Sequence, residues 1–229
     1  MAAQQVSHGE AQFDSWSDYY QADYGLPQIH RHLTNMAPFI RTCESFAAGP
    51  RFLEIGTGTG LVSVYFSQCG HKVTGLDYDQ GILALNRAFN SRFCGQARFL
   101  AGDLFALPFK ADSFDLCFHQ GLMEHFDPAE ITASLQDQVR IARRVVFSVP
   151  TVHWKGGVFG NERMMTGAHW MEILKPFRVL HLFGGAFADV PSRALNFAAT
   201  RFSRFRPQAL YRPLALHRAG ELGFVIEAR

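Results

Sequence analysis

Glu54, Gly56, Gly58 and Gly60 stand at alternate positions where the apolar run Phe52 to Ile55 ends. Glycine takes positive φ without strain and lets the backbone come close to a ligand. The helix-like run Leu61 to Gln68 follows at once. N–H groups at a helix start have no partner within the helix and face whatever lies before it. A second run, His71 to Leu76, ends in Asp77, 21 positions after Gly56. That is close to the roughly 20 at which a carboxylate grips a ribose. A carboxylate suits the task because it can satisfy two neighbouring hydroxyl donors at once. Strand, glycine turn, helix, strand and acid together make a nucleoside-binding unit.

The glycine spacing narrows the choice of nucleoside. A dinucleotide fingerprint needs G-x-G-x-x-G. Here Leu61 occupies its third glycine position and the glycine falls one residue early, at Gly60. The pattern Glu54-x-Gly56-x-Gly58-x-Gly60 resembles motif I of the class I S-adenosylmethionine-dependent methyltransferases. Asp77, then Gly102-Asp103, then His119-Gln120-Gly121-Leu122-Met123-Glu124-His125-Phe126 follow in the matching order. The last segment resembles the small-molecule branch of that superfamily, typified by ubiquinone and menaquinone biosynthesis. The resemblance covers residues 50 to 150 and implies S-adenosylmethionine as cofactor. It implies that Glu54, Gly56, Thr57, Gly58 and Gly60 cradle the methionine part and that Asp77 holds the ribose. Asp103, after Gly102, would accept from the adenine amino group, with the Leu104 N–H nearby. Tyr78 and Ile82 would pack near adenine or belong to the core, and Gln120 would face the cofactor.

These residues need a sheet to position them. Strands are expected near 51–55, 72–76, 97–101, 114–118, 143–149, 177–183 and 223–228. Helices are expected near 28–46, 60–69, 79–93, 128–141 and 166–174. This alternation predicts an α/β fold with a parallel sheet and right-handed crossovers. The resemblance implies a Rossmann-like, doubly wound sheet of seven strands, the last antiparallel between the fifth and sixth. Asp79 reads as a helix N-cap, and Pro128 suits a first helical turn. Residues 8 to 26 hold Phe13, Trp16, Tyr19, Tyr20 and Tyr24 at helical spacing and read as a lid. The expected division is a helical cap at 1–48 and a methyltransferase domain at 49–229. Substrate-side elements would lie at 151–175 and 184–222, the latter an insertion before the last strand.

Composition sets the outer bounds. With 229 residues, 48% apolar and 18% charged, the chain reads as one globular domain. No apolar run is long enough to span a bilayer, and Met1 to Glu10 lacks a signal-peptide core. Cys43, Cys69, Cys94 and Cys117 are widely spaced, which suits reduced thiols in the cytoplasm. Residues 1–189 carry 15 Lys+Arg against 18 Asp+Glu, whereas 190–229 carry seven Arg against two Glu. The arginines of 193–218 alternate with Phe197, Phe202, Phe205 and Tyr211. A solvated helix face with inward aromatics is the first reading of that segment, and a site for an acidic small molecule the second. RNA or a membrane surface follows.

On the acceptor side the residues leave alternatives open. His125 reads as a general base or as packing under the cofactor, and His153 is the second base candidate. His119 reads as a cap at the sheet edge. Tyr20, Tyr24, Trp154 and His169 are candidates to touch substrate. Ubiquinone-type enzymes carry E-x-x-E-H, a set able to hold a divalent ion; Gly121 replaces the first Glu here, so no metal is expected. The chain has no Asn/Asp-Pro-Pro-Tyr and no Pro-Cys, which argues for a small-molecule acceptor over a nucleic acid. The expectation is O-methylation of a small metabolite, with N- or C-methylation next and no DNA partner. The alternatives are an RNA methyltransferase using the basic C-terminal region, or a non-catalytic S-adenosylmethionine-binding partner protein.

Overall fold

Period-two alternation builds the first strand, β1 (Arg51–Ile55). Phe52 joins the apolar layer on one face of the sheet, while Leu53 and Ile55 join the layer on the other. The computed structural model describes residues 15–20, 25–156, 159–185 and 215–229. Within them run α1 (Trp16–Tyr19), α2 (Leu26–Phe46), β1, α3 (Leu61–Gln68), β2 (Lys72–Asp77), α4 (Gln80–Arg92) and β3 (Arg98–Ala101). Next come β4 (Leu116–Gln120), a 3₁₀ turn (Met123–His125), α5 (Pro128–Ile141) and β5 (Val145–Pro150). The described chain ends with α6 (Gly167–Ile173), β6 (Arg178–Gly185) and β7 (Glu221–Glu227).

The seven strands form one sheet in the order β3-β2-β1-β4-β5-β7-β6. Pairs from β3 to β5 are parallel, and β7 runs antiparallel to both β5 and β6. This is the doubly wound sheet expected, with the last strand between the fifth and the sixth. Strand order reverses between β1 and β4, and ligands bind at the carboxyl ends of strands beside such a switch. Glu221, the first residue of β7, pairs with Pro150 and Gly185. The start of β7 therefore joins the same edge as the ends of β5 and β6.

β4 begins two residues later than the sequence suggests, at Leu116. Asp115 explains the delay. Its carboxylate accepts from the Arg51 N–H at 2.9 Å and from the Arg51 guanidinium at 2.8 and 3.1 Å. Phe114 is left with a single bridge to Ala142. The shift carries His119 and Gln120 into the strand. His119 is fully buried, stacked on Phe147, with Nε2 3.1 Å from Gln138 Oε1. Burial pushes its pKa down to about 3. His119 is thus a neutral core residue, not the cap of a sheet edge.

Helices cover both faces. α2 and α3 bury Phe39, Ile40, Cys43 and Phe66 against Phe52, Phe118 and Val225. On the other face α5 and α6 bury Leu135, Ile141 and Trp170 against Leu53, Phe147 and Phe224. Each large apolar side chain so removed from water contributes about 1.5–3 kcal/mol. α5 spans the expected residues because both ends are written locally. Asp127 and Glu130 form a capping box, and Pro128 takes the first turn. Asp79 caps α4 as expected, accepting from Gly81 and Ile82 N–H. Phe13, Tyr24 and most of the arginine-rich segment lie outside the described residues. No described helix is long and apolar enough to cross a membrane.

Candidate active site

The turn after β1 holds left-handed φ of +66° at Gly56, +49° at Gly58 and +72° at Gly60. Side chains from β2 and α4 brace it. Asp77 Oδ2 accepts from the Thr57 N–H at 2.8 Å, and Oδ1 accepts from the Asp79 N–H at 3.0 Å. Thr57 Oγ1 lies 2.5 Å from Asn86 Oδ1 and 3.2 Å from Asp77 Oδ2. A hydroxyl has one proton to give, and the shorter contact takes it. Asn86 Nδ2 in turn donates to the Gly58 carbonyl at 2.7 Å. A carboxylate offers about four acceptor directions, so Asp77 keeps one open on each oxygen. That is the set two vicinal hydroxyls require. Burial raises the Asp77 pKa, against the lowering pull of the Asp79 and Thr57 N–H groups.

Asp77 lines a cleft of about 340 Å³ with Gly56, Gly58, Gly102, Asp103 and Gln120. Its apolar lining includes Ile82, Leu104, Phe105, Leu122 and Phe126, and exposed Tyr78 stands at its rim. Asp103 Oδ1 accepts from the Phe105 N–H at 2.8 Å, which orients that carboxylate. A side chain at Gly58 would meet the Tyr20 ring at 3.1 Å, so glycine keeps this wall open to the backbone. Glu54 and Thr57 line an adjoining recess of about 60 Å³ beside α2. Glu54 is buried, accepts from the Ser63 hydroxyl, and burial pushes its pKa up to about 8. Gly60 lines none of these spaces. Its glycine is required because a Cβ would sit 2.9 Å from Asn86 Nδ2. Apolar walls, bracketing carboxylates and an open glycine backbone fit S-adenosylmethionine.

A second chamber, of about 470 Å³, opens beyond Gln120 and Gly121. Trp16, Tyr20 and His125 line both spaces. His125 Nδ1 lies 2.6 Å from Asn161 Oδ1, and the Arg163 N–H donates to the Glu124 carbonyl at 2.7 Å. These two bonds tie the loop after β5 to the 3₁₀ turn. An amide oxygen can only accept, so this contact calls for a proton on Nδ1 and leaves Nε2 as the basic nitrogen. Burial lowers the His125 pKa, with Asn161, Glu162 and the Gly121 carbonyl opposing. Trp16 meets the His125 ring edge-on at 5.1 Å and stacks on Phe159 at 4.0 Å. Glu124 is 2% exposed, and burial pushes its pKa up to about 8.

Of the acceptor-side candidates, Tyr20, Trp154 and His125 line the second chamber. His153 and His169 line neither space. The His153 N–H is tied to Thr151 Oγ1, and His169 is exposed on the first turn of α6. Tyr24 lies outside the described residues. Asn86, Asn161, Glu162 and Glu221 have no motif around them and emerge only with the fold. Gly121 has φ +61°, a backbone state that accounts for glycine at this position. Among the described residues no three His, Cys, Asp or Glu side chains converge as a metal site.

Residues 52–144 match the family model described as a methyltransferase domain. The ubiquinone biosynthesis O-methyltransferase of Aromatoleum aromaticum is 30% identical over 56% of this chain and 54% of its own length. The demethylmenaquinone methyltransferase of Renibacterium salmoninarum is 32% identical over 45% of this chain and 44% of its own. The chain thus spans about half the length of these relatives. The crystal structure of magnesium protoporphyrin IX methyltransferase from Synechocystis, with bound S-adenosylmethionine, shares the fold. Its TM-score is 0.60 at 14% identity, over 93% of this chain and 90% of that one. The matched model, the strand order and the glycine turn together mark residues 52–144 as a methyltransferase domain, similar to those of the class I S-adenosylmethionine-dependent enzymes.

Proposed function

We propose that this chain transfers a methyl group from S-adenosylmethionine to a hydroxyl oxygen of a small molecule, with His125 as general base. The observation that carries this reading is the meeting of the two spaces at His125, whose ring is held by Asn161. The cofactor supplies an electrophilic methyl on a sulfonium. In this reading Asp77 accepts from the ribose hydroxyls, Asp103 from the adenine amino group, and Gly56 and Gly58 give room for the methionine part. Glu54 braces the turn from behind through Ser63. Gln120 stands where cleft and chamber meet. Residues 1–48 act as a cap, with Trp16 and Tyr20 closing the junction against water, and exclusion of water aids discharge of a cation. His125 Nε2 takes the hydroxyl proton as the oxygen attacks, a contribution of about 10²–10⁴-fold.

The experiment is release of S-adenosylhomocysteine across a panel of phenols and primary amines, for the parent chain and His125→Ala. Turnover on a phenol should fall by about 10²-fold or more in the variant, with cofactor affinity kept. Equal turnover on every phenol would remove His125 from the chemistry. Transfer to an amine nitrogen is the second reading, favoured by the carboxylates around the chamber. A neutral amine needs no base, so His125→Ala would spare that reaction.

A further inference from the structure

Methyl transfer to a hydroxyl leaves part of the second chamber without a task. Glu124, Glu162 and Glu221 line it, and among its described lining residues there is no Lys or Arg. Two buried polar atoms face no partner. Glu124 Oε2 has no hydrogen-bond donor, in a residue 2% exposed. Ser148 Oγ is likewise unpaired, in a residue 0% exposed. Native proteins rarely leave such atoms unsatisfied, because each costs the desolvation of a polar group. Both residues line the chamber, and neither lines the cofactor cleft.

The other two glutamates are already oriented. Glu162 accepts from the N–H groups of Phe159 and Gly160 at 2.5 and 2.8 Å, which fixes its loop. Glu221 Oε1 accepts from Gln120 Nε2 at 2.6 Å. Aromatic rings supply much of the remaining wall: Trp16 stacked on Phe159, Tyr19 edge-on to both, and Trp154, together with Met36, Val149 and Pro150. Carboxylates within an aromatic enclosure form a receptor for an organic cation, through charge-assisted hydrogen bonds and ring quadrupoles. An anion placed here would meet three glutamates and, among the described lining residues, no Lys or Arg.

We infer that the chamber recognises a protonated amine carried by the methyl acceptor. Binding displaces to solvent the proton that burial keeps on Glu124, and the ammonium donates to Glu124 Oε2 and Ser148 Oγ; Glu162 and Glu221 stand nearby, and the aromatic rings cover its carbon body. The hydroxyl to be methylated then reaches back to His125. This assignment of substrate class rests on the reading that the chamber holds the acceptor.

The test compares tyramine, its neutral analogue 4-(2-hydroxyethyl)phenol and its acidic analogue 3-(4-hydroxyphenyl)propionate. All three carry the same phenol. Each is titrated calorimetrically into the full chain saturated with S-adenosylhomocysteine. Tyramine should bind at least tenfold more tightly than either analogue. Glu124→Gln should remove that preference while leaving S-adenosylhomocysteine affinity and the weak binding of the alcohol unchanged. Ser148→Ala should weaken tyramine several-fold, a smaller change that tests the site should the glutamine variant fail to fold. Equal binding of amine and alcohol, or tighter binding of the acid, overturns the inference while normal S-adenosylhomocysteine affinity leaves the cofactor reading intact. Failure to bind S-adenosylhomocysteine overturns both.

Discussion

Thr57 has one hydroxyl proton, and its use on Asn86 leaves Asp77 open to a ribose. Asp77→Ala should therefore reduce S-adenosylmethionine affinity at least tenfold, since hydrogen bonds to a charged group are worth about 1.5–3 kcal/mol each. Asn86→Ala tests the same turn from behind, because Asn86 does not line the cleft. It should lower both cofactor affinity and melting temperature, whereas loss of stability alone would mean the turn keeps its shape without Asn86. At His125 the sign of the pH effect follows from burial, which lowers its pKa below the ordinary 6.5. A base is lost when protonated, so the acidic limb of turnover should lie below pH 6.5. Asn161→Asp places a carboxylate on Nδ1 and should move that limb upward. A limb that stays in place when Asn161 is changed, measured under saturating cofactor, would assign it to another group.

At the scale of elements, two N-caps do different work. α5 begins with the Asp127 capping box, which lines neither space. Asp127→Ala should cost about 1 kcal/mol, roughly 2–4 °C for a chain of this size, with kcat and KM unchanged below the transition. α3 instead begins at Gly60, whose left-handed φ and contact with Asn86 leave no room for a side chain. Gly60→Ala should weaken cofactor binding as well as stability, by pushing Asn86 away from the Gly58 carbonyl. Comparing the two variants by thermal melting and cofactor titration separates a helix start that only holds the fold from one that also shapes the site.

Across the whole molecule, buried carboxylates set how stability responds to pH. Glu54 and Glu124 are both raised from 4.5 to about 8, chiefly by burial. Near pH 7 they hold protons that the unfolded chain has released. Their contribution is complete below about pH 4.5 and is lost as pH rises through about 8. For each group the loss is on the order of 1.4 kcal/mol per pH unit within that window. Glu162, Glu221, Tyr19, His125 and His32 share the chamber with Glu124 and will modulate its titration. Glu124→Gln should therefore gain stability relative to the parent between pH 6 and 9, measured by denaturant unfolding of the ligand-free protein. A constant difference across that range would mean Glu124 ionises in the folded chain at ordinary pH.

Much of the cofactor side was legible in the sequence because its determinants are local. Positive φ needs glycine, and the path from turn to Asp77 is one strand-helix-strand unit. The ends of α5 were legible for the same reason, since Asp127, Pro128 and Glu130 are neighbours. The acceptor side was not. His125 and His153 both stood after strand ends as candidate bases, and a two-residue change in where β4 starts put His119, read as a cap at the sheet edge, in the core. Asn161 reaches His125 across 36 positions, and Glu221 meets Gln120 across 101. Such pairs leave no spacing to read. They arise only when β7 inserts beside β5 and the loop after β5 folds over the 3₁₀ turn. The sequence by itself determined the parallel sheet, the glycine turn and the acid at the end of β2, because chain connectivity enforces them. Only the tertiary structure decided which histidine faces the junction and which glutamates surround the second chamber, because those depend on strand register and on contacts between distant segments.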